Sequence, residues 1–228
     1  MERQLAEKER LALLGEMAAI LAHEIRNPIG SIKGFAQFLL EREGKDQEER
    51  EFLQTMVEEC VRLEKLVQDL LHYAREEHLS LTTFSLGDLV EECLKVLDTR
   101  EGVEIKVQIP PTLTLKSDRD KMKQILLNLL ENSLEAMGHG TITVRAWEKG
   151  EKVILEIQDQ GSGMTREVQE RIFQPFFTTK SQGTGLGMAI VKKLTDQLAG
   201  KVEVKSTPGK GTTFTITLPR DMGQQDKK

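Results

Sequence analysis

Two apolar stripes at helical spacing open the chain. Leu14, Met17, Ala18, Leu21, Ile25, Ile32, Phe35 and Leu39 recur at intervals of three, four or seven, which sets them along one face of a long helix. Leu53, Met56, Val57, Cys60, Leu63, Val67, Leu70, Leu71 and Ala74 line a second helix, and the polar stretch 43–46, with Gly44, supplies the reversal between the two. At 1.5 Å per residue each arm would be roughly 45 to 60 Å long. A lone hairpin of that length is too thin to bury both stripes, so two hairpins are expected to pair as a four-helix bundle in a homodimer. The first residues are charged and helix-favouring without a cap, so they read as the continuation of an upstream helix in a longer protein.

Beyond residue 77 the pattern changes, with a linker expected over 78–84. Residues 103–109, 141–147, 153–158, 201–205 and 213–218 alternate, with β-branched side chains at every second position, as half-buried strands do. Residues 118–137 and 186–198 carry leucine, isoleucine and valine at helical spacing. The simplest layering is a sheet with helices on one face. The fold class is therefore α+β: a helical hairpin for dimerisation over 1–79, a two-layer α/β sandwich over 80–221 and a polar tail over 222–228. Composition narrows the functions. The net charge is -5, with 32 basic residues dispersed among 37 acidic ones, which argues against a nucleic-acid partner. Cys60 and Cys93 form no metal or disulfide pattern and read as buried thiols. No window reaches the roughly 18 to 20 apolar residues of a membrane span, and no signal-peptide plan opens the chain.

Four segments of the second region suit close approach to a polyphosphate nucleotide. Asn128 and Asn132 stand one turn apart among Leu126, Leu127, Leu129 and Leu130. Unpaired buried amides are costly, so these are either structurally paired or offer oxygens to a hard cation such as Mg²⁺, with Glu131 and Glu135 nearby. Asp159 ends the strand 153–158 and is followed by Gly161 and Gly163. That is either a plain turn or a carboxylate presented to an adenine amino group where the backbone comes close. Gly183, Thr184, Gly185, Leu186 and Gly187 open the helix 186–198, where backbone N–H groups and the helix dipole can meet phosphates. No strand precedes them, so they are not a dinucleotide fingerprint. Gly209, Lys210, Gly211 and Thr212 precede the last strand and could equally be a hairpin turn.

The order and separation of these segments, with Phe173, Pro175, Phe176, Phe177, Thr178, Thr179 and Lys180 between the second and third, resemble the N, G1, F, G2 and G3 boxes of one ATP-binding domain. That Bergerat-type domain is shared by histidine kinases, Hsp90-type chaperones, gyrase-type topoisomerases and MutL-type repair proteins, and the resemblance spans 128–212. It implies ATP and Mg²⁺, with Asn132 as the metal ligand and Asn128 and Glu135 beside it. It implies that Asp159 holds adenine, together with Gly161, Gly163 and Thr212. Gly183, Thr184, Gly185, Leu186 and Gly187 would wrap the phosphates beneath a lid over 173–184, from which Lys180 would reach a phosphate.

His23, Glu24, Ile25, Arg26, Asn27 and Pro28 lie on the first helix. His23 shares a face with Ala19, Arg26 and Asn27, away from the Leu21 and Ile25 stripe, so it points outward. Pro28 removes a backbone hydrogen bond in mid-helix at a cost of about 3 kcal/mol, which points to a functional compromise. The run resembles the H box of histidine kinases. The resemblance implies that His23 is phosphorylated from ATP, that Glu24 takes or relays its proton, and that Asn27 places water for a reverse phosphatase step. The phosphoryl group would then pass to an aspartate in the receiver domain of a response regulator. The run over 14–39 looks most similar to sporulation kinases of endospore-forming bacilli, type B in particular. That implies a sporulation phosphorelay, small inhibitor proteins docking on the hairpin, and a cytoplasmic portion joined to a membrane-anchored sensor region upstream. Two other readings belong to a different class. One is an ATP-driven clamp, whose relatives place a glutamate at the position of Asn128; the other is a scaffold that ATP only stabilises.

Overall fold

A computed structural model describes residues 25, 29–41, 46–74, 78–98, 101–180 and 183–223. They fall into two compact units, one holding the long helices together with Phe176–Leu186, the other holding His78–Pro175 and Gly187 onward.

In the first unit, α1 (29–41) and α2 (Gln47–Ala74) form the hairpin. Asp46 caps α2, its Oδ1 accepting from the Glu49 N–H at 2.8 Å, and Glu48 and Glu49 complement the helix dipole in the first turn. The seam between the helices has a heptad spacing: Ile29 and Ala36 on α1, Leu53, Cys60 and Val67 on α2, all buried. Lys33 Nζ donates to Glu64 Oε2 across the pair at 2.8 Å. Ile25, Ile32, Phe35 and Leu39, whose burial is expected only on pairing of two hairpins, are exposed in the single chain, and so are Phe38, Phe52, Val61 and Leu63. The apolar residues of α1 cover more of the helix circumference than α2 can bury, so the intrachain seam takes Ile29 and Ala36 and leaves a second apolar band uncovered.

The second unit contains a five-stranded sheet in the order β2 (Val103–Gln108), β4 (Gly140–Lys149), β5 (Lys152–Gln158), β7 (Gly211–Pro219), β6 (Lys201–Thr207). Only the β2–β4 pair is parallel. A two-stranded ribbon of β1 (Leu81–Ser85) and β3 (Thr114–Asp118) stands beside it. Alternation decides which face is covered. Ile142, Val144, Ala146, Val153, Leu155, Ile157, Phe214, Ile216 and Leu218 are buried, while Thr143, Arg145, Glu156, Thr215 and Thr217 between them are half-exposed. α4 (Arg119–Glu135) and α6 (Gly187–Gln197) bring Ile125, Leu126, Leu129, Leu130, Ile190 and Val191 into the same core. Each such side chain contributes about 1.5–3 kcal/mol on burial.

The five predicted strands and two predicted helices are present, most with ends moved by one or two residues. The expected linker over 78–84 instead contains most of β1, and it leads into α3 (Leu86–Val96). Ser85 caps that helix by accepting from the Asp88 N–H, and Leu86, Leu89, Val90 and Cys93 are its buried face. A short α5 (Arg166–Arg171) precedes the phenylalanine-rich segment. Both cysteines are free and buried, and burial pushes the Cys93 thiol up to about 11. No helix among the described residues is long and apolar enough to cross a membrane.

Candidate functional site

α4 presents Asn128 and Asn132 because its capping fixes where the helix begins. Asp118 Oδ1 accepts from the Lys121 N–H at 3.0 Å, and Oδ2 from the Ser80 N–H at 2.9 Å. With Ile125, Leu126, Leu129 and Leu130 turned into the core, the two amides fall at its edge, half-buried. Asn128 Nδ2 donates to the Gln124 carbonyl at 2.9 Å and Asn132 Nδ2 to Met188 Sδ at 3.1 Å. Each amide nitrogen donates one hydrogen to the protein, and an amide oxygen is the kind of atom that suits a hard cation such as Mg²⁺. A Cβ on Gly187, the first residue of α6, would lie 2.9 Å from Asn128 Oδ1. A larger residue there would have to push the Asn128 side chain aside. Glu135, at the end of α4, is exposed.

At the end of β5, Asp159 is 2% exposed. Its Oδ1 accepts from the Gly161 and Thr212 N–H groups at 2.9 and 3.0 Å, and its Oδ2 receives only a long contact from Ser133 Oγ at 3.4 Å. Burial pushes the carboxyl upward from its ordinary value, and the Gly161, Thr212 and Ser133 donors pull partly against it. Ser133 belongs to this site although the sequence reading passed over it. It is a buried polar residue on α4, and its pairing with Asp159 is visible only in the fold.

The loop after Asp159 is strapped to the β6–β7 hairpin: Asp159 N–H donates to the Thr212 carbonyl at 2.9 Å and Gly209 N–H to the Ser162 carbonyl at 2.7 Å. Gly163 takes φ +65°, and a Cβ there would collide with the Thr207 carbonyl. Gly163→Ala is expected to cost about 2–4 kcal/mol, from the left-handed backbone and overpacking together. A urea midpoint equal to that of the parent chain would contradict this close approach.

The remaining predicted residues belong to the unit that holds the hairpin. Lys180 is exposed, and its backbone N–H donates to Thr178 Oγ1. Gly183 N–H donates to the Lys180 carbonyl, and Leu186 is fully buried. Thr184 Oγ1 donates to Asp69 Oδ2 of α2 at 2.8 Å and accepts from the Leu186 N–H at 3.4 Å, while Gly185 packs against the Phe176 backbone. One unit therefore gathers Asn128, Asn132, Asp159, Gly161, Gly163, Gly187 and Thr212 with Ser133, and the other holds Lys180, Gly183, Thr184, Gly185 and Leu186. His23, Glu24, Asn27 and Pro28 lie outside the described residues.

Residues 13–79 match the family of the His Kinase A (phospho-acceptor) domain, and residues 117–222 match the histidine kinase-, DNA gyrase B- and HSP90-like ATPase. The chain is 42% identical to sensor histidine kinase ZraS of Salmonella typhimurium over 225 residues, 96% of the chain and 48% of that protein. It is 30% identical to sporulation kinase B of Bacillus subtilis over 96% of the chain and 53% of the relative. The chain thus spans about half the length of the curated relatives it matches. The greater identity to ZraS corrects the expectation that type B sporulation kinases resemble it most. Among solved structures, full-length ShkA in complex with AMPPNP superposes with a TM-score of 0.75 at 30% identity, covering 90% of this chain and 45% of that one. Histidine kinase ThkA in complex with the response regulator protein TrrA gives 0.71 at 31%, covering 98% of this chain and 67% of that one. With a phospho-acceptor hairpin followed by the α/β ATPase sheet, the chain belongs to the sensor histidine kinases.

Proposed function

We propose that this chain is the catalytic portion of a sensor histidine kinase that moves the γ-phosphoryl group of ATP to its own His23 and then to an aspartate of a response regulator. The observation that carries the nucleotide half is Asp159: a buried carboxylate at a strand end with one oxygen saturated by backbone donors and the other holding only a long hydroxyl contact. Such an oxygen suits the amino group of adenine, which other bases do not present in the same place. Gly161, Gly163 and Thr212 shape the loop around the base. The start of α6 at Gly187, with Gly183, Thr184, Gly185, Leu186 and Lys180 before it, offers N–H groups and positive charge to the phosphates. Asn132, with Asn128 and Glu135 beside it, would hold Mg²⁺, which when bound neutralises phosphate charge.

In the transfer, a neutral imidazole nitrogen of His23 forms the N–P bond as the bond from the γ-phosphorus to its bridging oxygen breaks, and ADP leaves with that electron pair. Glu24 accepts the imidazole proton, and Asn27 places water for the reverse, phosphatase reaction. A receiver carboxylate then takes the phosphoryl group as the P–N bond breaks and the imidazole recovers a proton. The exposed apolar band of Ile32, Phe35, Phe38, Leu39 and Phe52 supports pairing of two hairpins as a homodimer. ThkA in complex with a response regulator supports a receiver partner, and the name of sensor histidine kinase ZraS, of which the chain spans 48%, supports a sensor region elsewhere in the protein. Sporulation signalling, with a small inhibitor protein on the hairpin, is the finer reading, and the identity of 30% to sporulation kinase B against 42% to ZraS makes it the weaker.

The test is to incubate the chain with Mg²⁺ and ATP labelled in either the γ- or the α-phosphate. Only γ-label should become protein-bound, and it should be lost in acid and kept in alkali, as a phosphoramidate is. Phosphate release with no bound label would instead favour the ATP-driven clamp, and ATP binding with neither would leave a scaffold.

A further inference from the structure

α5 has six residues and no fully buried side chain, Val168 being half-buried, so burial of apolar surface holds it only weakly. Gln169 fixes its place. Its Nε2 donates to the Met164 carbonyl at 3.1 Å and the Ser206 carbonyl at 3.0 Å, and its Oε1 accepts from the Ser206 N–H at 3.2 Å. β6 is an edge strand bonded only to β7, and the Gln169 amide pairs with its Ser206 peptide groups as a neighbouring strand would. The Ser206 hydroxyl continues the chain of bonds. It accepts from the Met164 N–H at 2.8 Å, donates to the Gly211 carbonyl at 2.9 Å and lies 2.9 Å from Thr212 Oγ1. Thr212 in turn donates its N–H to Asp159 Oδ1.

The glycine loop is therefore held at both ends. At its start Asp159 is bonded to Thr212 of β7 in both directions. At its finish both backbone polar groups of Met164 are taken, the N–H by Ser206 and the carbonyl by Gln169. We propose that Gln169 and Ser206 are positioning residues for the nucleotide base, fixing the Met164 end of the loop relative to the Asp159 carboxylate. This rests on the reading of Asp159 as the adenine acceptor. Neither residue needs to touch the nucleotide; each acts through Met164 and Thr212.

A residue that sets the base slot changes affinity for every adenine nucleotide by the same factor, because the phosphates are bound elsewhere. Titration of the full chain with ADP and with AMP, well below the unfolding transition, tests this. Gln169→Met, which keeps length and packing but has no amide, and Ser206→Ala are each expected to weaken both ligands about 5- to 10-fold, on the scale of one lost hydrogen bond. Ser206→Thr, which keeps the hydroxyl, should stay within about twofold of the parent chain, since its hydrogen bonds are retained. In the labelling reaction Gln169→Met should raise the KM for ATP and leave the rate at saturating ATP unchanged. A purely structural role predicts a lower unfolding midpoint with unchanged ADP affinity in the folded protein, and that result in either variant overturns the proposal. Weakening of ADP without AMP would overturn it too, by placing the effect at the phosphates. Failure of the parent chain to bind ADP would sink the adenine reading and this proposal with it, whereas failure of the variants to differ sinks only the latter.

Discussion

His23→Gln is expected to remove acid-labile label entirely, a fall of at least about 100-fold and so upwards of ~2.7 kcal/mol in the barrier, while ATP binding stays within about twofold. Glutamine matches the polarity of histidine and much of its length, but its amide nitrogen donates its lone pair to the carbonyl and is no nucleophile. An imidazole with an ordinary pKa of about 6.5 keeps one nitrogen free to attack near neutral pH. Every residue assigned to the nucleotide lies between Asn128 and Thr212, far from His23 along the chain, so nucleotide binding is expected to survive the substitution. Nucleotide affinity by titration and label by autoradiography separate the two effects. Label persisting on the variant would move the phosphoacceptor to another side chain. Loss of nucleotide binding together with label would mean that His23 serves the fold or the site, not the transfer.

The parts of the fold that could be read from the chain are those where one face is buried and the other is not. β4, β5 and β7 alternate because helices cover a single side of the sheet, so Ile142, Val144 and Ala146 point one way and Thr143 and Arg145 the other. α4 announces itself through Asp118 and a long leucine-rich face. β1 and β3 form a two-stranded ribbon in which β1 is largely exposed, and without a buried face there is no alternation to see. α3 did leave a signal, Ser85 as cap and Leu86, Leu89, Val90 and Cys93 at helical spacing, but its eleven residues sit directly after a stretch that looks like a linker. In the hairpin the period is correct, and on α2 the buried residues Leu53, Cys60 and Val67 belong to the expected stripe, whereas on α1 the buried pair is Ile29 and Ala36, outside it. Helical spacing identifies a helix, whereas the choice between Ile29 with Ala36 and Ile32 with Phe35 depends on which surface the neighbouring helix covers.

The candidate site divides on the same physical line. Asp159, with Gly161 and Gly163 after it, could equally be a plain turn and stands out by its order among the other glycine segments, and Asn128 with Asn132 stand out because amides are costly on an apolar helix. Ser133, Ser206 and Gln169 do not. Each takes its role from a partner far along the chain: Ser133 from Asp159, Ser206 from Met164, and Gln169 from Ser206. Ordinary polar residues in a strand, a short helix and a leucine-rich stripe carry no mark of such pairings until the sheet has brought them together.

Asp159→Asn is expected to weaken ADP and ATP by about 100- to 1,000-fold, ~3–4 kcal/mol, because it leaves an amide N–H facing the adenine amino group where an acceptor is needed. The nucleotide-free fold should keep its stability. The substituted side chain can still accept from the Gly161 and Thr212 N–H groups through its amide oxygen, and its amide nitrogen can donate to the Ser133 hydroxyl, so the three partners of the carboxylate are retained. The pH dependence follows from the direction of the shift. Burial raises the Asp159 carboxyl above its unfolded value, so its contribution to stability is fully present below the unfolded pKa and is lost as pH rises through the folded one. At neutral pH the ionised group is therefore a burden on the empty fold, and the asparagine variant is relieved of it. Unfolding midpoints measured without nucleotide should fall less steeply between acid and neutral pH in Asp159→Asn than in the parent chain. With ADP the order reverses: the parent chain is stabilised by ligand and the variant is not. Affinity of the parent chain should also decline toward acid pH, as protonation removes the acceptor that the adenine amino group needs. A variant that binds ADP as tightly as its parent would show that the carboxylate serves the loop alone. A variant that loses both affinity and nucleotide-free stability would show that the Gly161 and Thr212 contacts depend on the negative charge.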